Sequence, residues 1–402
     1  MRFISVLFTF TASLLLLLLA SCHIDDPVLV TQEAKPIVLT KAQESVRDAS
    51  NNFGFRVYNT LYDNNRRDVV FSPMGLSLAL SMAALGSCDG TWEQFSDVLG
   101  WNGATKQDVS SYYNTMISGL VEADPTVRFG SFNSMWVSKG FGISQNYRSS
   151  IKNDYGADGF VVDFSSSETV NRINEWVAKK SDNQLSDFVS ELDPGTSLML
   201  INAISFKGGW KLDSDHSRKG FFHGRTGNSI KDFFTLSGVT SYRADTDYRL
   251  ITLPYGNGAF EMICVLPEEA RDISFVIENL ETICSKGGFP CDASIALPEF
   301  SSSYKNGMTA ALRKTGLTTP FSSEADFSDI HKGLMISDVI QQAMINVDGQ
   351  GTTFATGTDV RFIASGIGGE LEKIEVKLDR PFVFLVREKS SKTVLLIGSL
   401  SE

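Results

Sequence analysis

A chain of 402 residues with 42% apolar and 21% charged residues, 28 Phe, 10 Tyr and 5 Trp, can bury a large core. That excludes a disordered, collagenous or simple coiled-coil protein. The formal charge is −11, from 36 Lys and Arg against 47 Asp and Glu. With no clustered cations to neutralise phosphates, nucleic-acid binding is not expected.

The first segment reads as an export address. Met1-Arg2 gives a positive start, and Phe8 to Ala20 is uncharged and mostly apolar, leucine throughout from Leu14 to Leu19. The run falls short of the roughly 20 apolar residues of a membrane span and fits the core of a signal peptide. It closes on Leu19-Ala20-Ser21-Cys22, which resembles the lipobox of bacterial lipoproteins. Residues 1–21 are therefore expected to be a cleaved signal, Cys22 the lipidated residue, and 22–41 a tether. An ordinary signal with a chance cysteine is the alternative. The expected location is the bacterial cell envelope, with the protein exported, lipid-anchored, and surface-exposed or released.

Helical patterns come next. Val46, Phe53, Val57 and Leu61 recur at helical spacing within Ser45 to Asn64. Pro73 suits a first helical turn, and Met74 to Leu85 is apolar nearly all round, as in a buried helix. Glu168 to Phe188 places Val170, Ile173, Trp176 and Val177 on one face. Strand signals then dominate: Leu198–Ile204, a hairpin of Leu250–Leu253 and Phe260–Leu266 across Gly256-Asn257-Gly258, and Ile295–Leu297. Lys305 to Lys314 reads as helix, followed by strands at Met335–Val347, Ile374–Leu378, Phe382–Val386 and Val394–Leu396. No linker or repeat divides residues 42–402, which read as one α+β domain with large, mostly antiparallel sheets.

Catalytic and metal chemistry gains little support. The four histidines, His23, His216, His223 and His331, sit beside no obvious nucleophile. There is no G-x-S-x-G elbow, zinc-protease motif or P-loop. Gly349-Gln350-Gly351-Thr352-Thr353-Phe354 begins like a dinucleotide loop but lacks its last glycine. Cys88, Cys264, Cys284 and Cys291 show no zinc spacing. Cys284 and Cys291 are near enough in sequence to pair, although buried or free thiols are the favoured reading. No cofactor or metal is expected.

Between two strong strand signals lies Asp348 to Glu370, rich in small and hydroxyl residues and free of proline. A structureless loop above about 15 residues is uncommon inside a compact domain and is usually functional. Its first half, Thr352 to Thr358, is also able to lie extended as a strand.

Blocks around this loop identify the resemblance. Phe71-Ser72-Pro73, Asn202-Ala203-Ile204-Ser205-Phe206-Lys207-Gly208-Gly209-Trp210, Leu297-Pro298-Glu299-Phe300 and Leu312-Arg313-Lys314-Thr315-Gly316-Leu317 stand in family order. Ala325-Asp326-Phe327-Ser328, Asp379-Arg380-Pro381-Phe382 and Leu396-Ile397-Gly398 complete a set that resembles the serpins over roughly Ala42 to Glu402. The resemblance implies the serpin fold: a large central sheet, smaller sheets, a cluster of about eight to nine helices and an exposed reactive-centre loop, here about 349–370. It implies a non-enzymatic suicide inhibitor of serine and cysteine endopeptidases. The loop is cut as bait, and its N-terminal half inserts into the sheet while the protease stays bound as an acyl-enzyme.

Roles carry over by position. The resemblance aligns Gly351 with the hinge glycine and Thr352 with the first residue to insert, followed by Thr353, Phe354, Ala355, Thr356, Gly357 and Thr358. Thr352, Phe354, Thr356 and Thr358 should share the inward face. Ser72 and Asn202 match the polar pair beneath the sheet, for which helix capping or core hydrogen bonding is an equal reading. Trp210 matches the tryptophan where insertion begins, with plain core packing as its alternative. Counting from the hinge puts the scissile bond at Ser365-Gly366, where Ala364-Ser365 suits an elastase-like protease. Phe362 and Arg361 are alternative cleavage positions. Gly349 replaces a usual Glu, Phe354 a usual Ala, Gly75 a usual Ser and Gln341 a common His. These departures leave a non-inhibitory relative, cleaved without trapping, as the second reading. Thr91 to Tyr113 contains only Lys106 as a basic residue, so a heparin-type cofactor is not expected. A monomer is.

Overall fold

The computed structural model of the chain describes residues 33–62, 68–181, 183, 185, 187–352 and 371–402. The first packed residues precede the first helix. Ile37 is buried against Gly119, and its amide donates to Ser390 Oγ at 2.8 Å. The Lys35 amide bonds the Ala123 carbonyl at 3.1 Å. The segment expected as a tether up to residue 41 is thus docked from Lys35, because Ile37 has an apolar seat that only a glycine leaves open. Helix α1 (Lys41–Leu61) starts ahead of the expected Ser45 because Thr40 and Gln43 cap each other reciprocally.

A short strand, β1 (Val70–Phe71), leads into α2 (Pro73–Leu85). Ser72 caps α2 by accepting from the Gly75 amide at 3.0 Å. Then come α3 (Asp89–Leu99), α4 (Lys106–Ala123), β2 (Arg128–Ser138), α5 (Gln145–Tyr155), β3 (Asp158–Val162) and α6 (Ser167–Lys180). Helix α6 stops short of the expected Phe188. The Ser181 hydroxyl donates back to the Val177 carbonyl and accepts from the Leu185 amide, and Asn183 turns left-handed at φ 60°.

Strands follow: β4 (Leu198–Gly209), β5 (Asp213–His223), β6 (Asn228–Ala244), β7 (Tyr248–Tyr255) and β8 (Phe260–Pro267). Helices α7 (Ile273–Glu278) and α8 (Leu280–Ser285) precede β9 (Phe289–Pro298), β10 (Phe300–Gly307) and α9 (Thr309–Lys314). Lys305, expected in a helix, belongs to β10, which pairs along its whole length with β11 (Ile336–Asp348). The chain ends through β12 (Gly351–Thr352), β13 (Lys373–Lys377), β14 (Phe382–Glu388) and β15 (Val394–Leu400).

Among the described residues these strands make two sheets. One has six strands in the order β10-β11-β12-β4-β2-β3; the other has nine and is continuous because β6 pairs with both β9 and β7. Helix α2 packs against β2 and β4 of the first sheet and β15 of the second, so its all-round apolar surface is consumed between them. The other face of the six-stranded sheet is covered by α6, where Ile173 and Val177 join Trp136, Met199 and Ile201 in a second core. Alternation along β4 explains the division: Leu198 and Leu200 face the main core, Met199 and Ile201 the second. The α+β expectation is met, with nine α-helices among the described residues. Cys88, Cys264, Cys284 and Cys291 are free thiols, so Cys284 and Cys291 form no disulfide. Burial pushes the Cys284 thiol up to about 12.

Candidate functional site: the seam between two strands of the six-stranded sheet

Strands β4 and β11 run parallel and pair directly from Ile336↔Leu198 to Ala343↔Ile204. Above that point they separate, and β12 lies between them. It pairs antiparallel with β11 through Val347↔Thr352 and Asp348↔Gly351, and with β4 through Thr352↔Gly208 and Gly351↔Gly209. The seam is closed over its lower part and occupied at its head by two residues of the loop base.

The turn that reverses the chain at the head is built for close approach. Gly351 sits at φ 146°, and a Cβ there would lie 2.2 Å from the Gly208 carbonyl oxygen, so only glycine fits. Asp348 Oδ1 accepts from the Gln350 amide at 2.8 Å. Trp210 Nε1 donates to the Asp348 carbonyl at 2.8 Å, and its ring stacks on Tyr255 with centroids 4.5 Å apart. Thr352 is 1% exposed, and its hydroxyl meets the Tyr255 hydroxyl at 2.5 Å. Burial raises the Tyr255 phenol well above its ordinary value, which keeps the O–H proton in place for that bond.

Lower in the seam a buried polar chain crosses three strands. Gln341 Nε2 donates to Asn202 Oδ1 at 2.9 Å across the β11–β4 pairing, and to the Ser72 carbonyl at 3.1 Å. The Ser72 amide donates back to Gln341 Oε1 at 2.8 Å. Asn202 Nδ2 donates to Asn133 Oδ1 on β2 at 2.8 Å. Ser72 and Asn202 are therefore joined through Gln341, while the Ser72 hydroxyl caps α2. Gly75 belongs to the same arrangement, since a Cβ there would lie 2.2 Å from Asn202 Oδ1.

The expected site residues thus divide. Gly351, Thr352 and Trp210 meet at the head of the seam; Ser72 and Asn202 meet in its middle. Thr353, Phe354, Ala355, Thr356, Gly357, Thr358, Arg361, Phe362, Ala364, Ser365, Gly366 and Cys22 lie outside the described residues. Tyr255 and Asn133 were not anticipated. Asn133 faces Asn202 from a strand whose signal is broken by Gly130, Ser131 and Ser134. Lys106 is committed to the end of α2, where it donates to the Leu85 carbonyl at 3.1 Å and to the Ser87 carbonyl. It also pairs with Asp329 at 3.3 Å. Among the described residues no cluster of three or more His, Cys, Asp or Glu side chains forms a metal site.

Two sheets with a parallel seam, a loop base lodged at its head and a polar chain across its middle form the frame in which the similarity to known proteins is read. The Serpin (serine protease inhibitor) family model matches residues 48–402, and the chain belongs to that family. An uncharacterized serpin-like protein of Thermococcus kodakarensis is 29% identical, over 95% of this chain and 91% of its own length. The leukocyte elastase inhibitor of Xenopus laevis is 28% identical, over 89% of this chain and 99% of its own. Arabidopsis AtSerpin1 in its native stressed conformation superposes with a TM-score of 0.81 at 22% identity, covering 91% of this chain and 99% of that one. The fold is the serpin fold, and the family's function is protease inhibition, not enzymatic turnover.

Proposed function

We propose that the chain is a suicide-substrate inhibitor of serine endopeptidases, with cysteine endopeptidases as a further target class. Cleavage at Ser365-Gly366 would release the hinge half of the loop into the β4–β11 seam while the protease remains an acyl-enzyme. The observation that carries this reading is β12: Gly351 and Thr352 already pair with both walls of the seam. If that register continued on insertion, Phe354 would come between Phe206 and Ile345, and Thr358 between Asn202 and Gln341. A threonine hydroxyl there can accept from Gln341 and donate to Asn202, replacing the bond that opening breaks. The uncleaved fold is then a kinetic trap, and new strand pairing drives the capture.

Ala364-Ser365 supports an elastase-like target with a small primary pocket, in keeping with the elastase inhibitor among the relatives. The second reading, cleavage without trapping, is favoured by the departures at Gly349, Gly75, Gln341 and above all Phe354: overpacking a sheet interior typically costs about 1–3 kcal/mol and slows insertion against hydrolysis. Mixing residues 32–402 with elastase-, chymotrypsin-, trypsin- and papain-like proteases separates the two. A covalent band at the summed masses, with a released peptide starting at Gly366, is expected; cleavage without that band establishes the second reading.

The Leu19-Ala20-Ser21-Cys22 motif supports export and lipid anchoring through Cys22 at a bacterial envelope. Among the described residues no helix is long and apolar enough to cross a membrane. Labelled fatty acid is expected in the wild-type chain and not in Cys22→Ala; equal labelling removes the anchor.

A further inference from the structure

The Tyr255 hydroxyl lies against the first residue of the inserting segment. It is fully buried, meets Thr352 Oγ1 at 2.5 Å, and is carried by a ring that Trp210 stacks at 4.5 Å and Phe206 meets edge-on at 5.0 Å. The backbone beneath it is fixed by the Tyr255↔Phe260 pair and by a bridge to Trp210. One aromatic pair therefore holds both ends of the hinge turn: Trp210 bonds the Asp348 carbonyl before it, and Tyr255 bonds Thr352 after it. Packing alone does not explain the arrangement. A phenylalanine would fill the same volume, whereas the hydroxyl gives the buried Thr352 Oγ1 a directed bond.

We propose that Tyr255 is a positioning residue that holds the hinge pre-seated, so that insertion extends an existing strand end and does not have to nucleate one. The inference rests on the inhibitory reading above and deepens it. Thr352 keeps the same neighbours, Val347 and Gly208, when the register is continued downward, so the Tyr255–Thr352 bond is made before cleavage and never has to break. The hinge end of the loop is thereby already ordered, and only residues beyond it have to find their places in the seam.

Backbone amide exchange at Gly351 and Thr352 tests the seating without any protease, in wild type, Tyr255→Phe, Thr352→Val, Thr352→Ser and the Tyr255→Phe/Thr352→Val double variant. Exchange should rise roughly three- to tenfold in Tyr255→Phe and in Thr352→Val, and no further in the double variant, the size of one buried hydrogen bond. Thr352→Ser, which keeps the hydroxyl, should stay protected. Equal exchange in all five proteins, or additive effects of the two single variants, overturns the proposal. With a protease that the wild type traps, Tyr255→Phe should raise the number of inhibitor molecules consumed per protease about threefold while leaving the encounter rate unchanged. A slower encounter with unchanged stoichiometry also overturns it. If the wild type traps no protease, the inhibitory reading falls, and the exchange series still decides whether Tyr255 seats the hinge.

Discussion

The head and the middle of the β4–β11 seam are held by different means. At the head the strands are already parted, and the space is filled by Gly351 and Thr352 under an aromatic pair. In the middle the strands touch, and Gln341, Asn202, Asn133 and Ser72 fasten them with hydrogen bonds among neutral groups. Amide bonds of this kind contribute only about 1 kcal/mol each while intact, yet leave costly orphans if opened without replacement. A strand entering from the head can supply replacements one residue at a time. Nothing equivalent holds for opening from the middle, so the contrast gives the seam a direction.

The largest way to break this contrast is at the head. Thr352→Arg puts a charge where the native side chain is 1% exposed. An uncompensated buried charge costs about 3–5 kcal/mol, so the variant should form no covalent complex and be cleaved as a substrate. Undiminished complex on a denaturing gel would remove the insertion mechanism. In the middle, Gln341→Ala orphans the Ser72 amide and Asn202 Oδ1 together. Native stability should fall by about 2–3 kcal/mol, read from the denaturation midpoint, with the head undisturbed. A smaller effect is expected from Thr358→Val. On the proposed register it should destabilise the cleaved form by about 1 kcal/mol, because Asn202 and Gln341 would then face a methyl group. Equal stability of the two cleaved forms would mean that the register does not continue downward from Thr352.

How much of this could be read from the sequence follows the same division. Ser72-Pro73 announces a capped, buried helix and Met335–Val347 a strand, but that Gln341 faces inward with Val339, Ala343 and Ile345 was not legible, because Ile340 and Met344 on the opposite face are apolar too. The hairpin around Gly256-Asn257-Gly258 was plain, because turn and strands are local. Tyr255 lies just past the expected strand Leu250–Leu253 and was legible neither as its end nor as a hinge contact, since its partner lies 97 positions away. The end of α6 was obscured for another reason. Leu185 and Phe188 are buried as a helical face would be, yet the chain reaches that core through a left-handed turn at Asn183. Lys305 was misassigned because β10 is polar and exposed along much of its length, and what makes it a strand is its pairing with β11.

The finest difference between head and middle concerns protons. Gln341 stands where the family commonly carries histidine, so the chain of Ser72, Gln341, Asn202 and Asn133 contains no group that titrates. Gln341→His would install one. Burial favours the neutral imidazole, so the folded-state pKa falls below the unfolded value of about 6.5. A group with a depressed folded pKa of this kind contributes fully above the unfolded value and loses its contribution as pH falls through the folded one. The free-energy gap between variant and wild type should therefore widen by about 1 kcal/mol from pH 7.5 to pH 5, other titrations cancelling in the difference. A gap that stays constant would place the new imidazole in contact with water, and the middle of the seam would be less tightly closed than the Gln341–Asn202 bond requires.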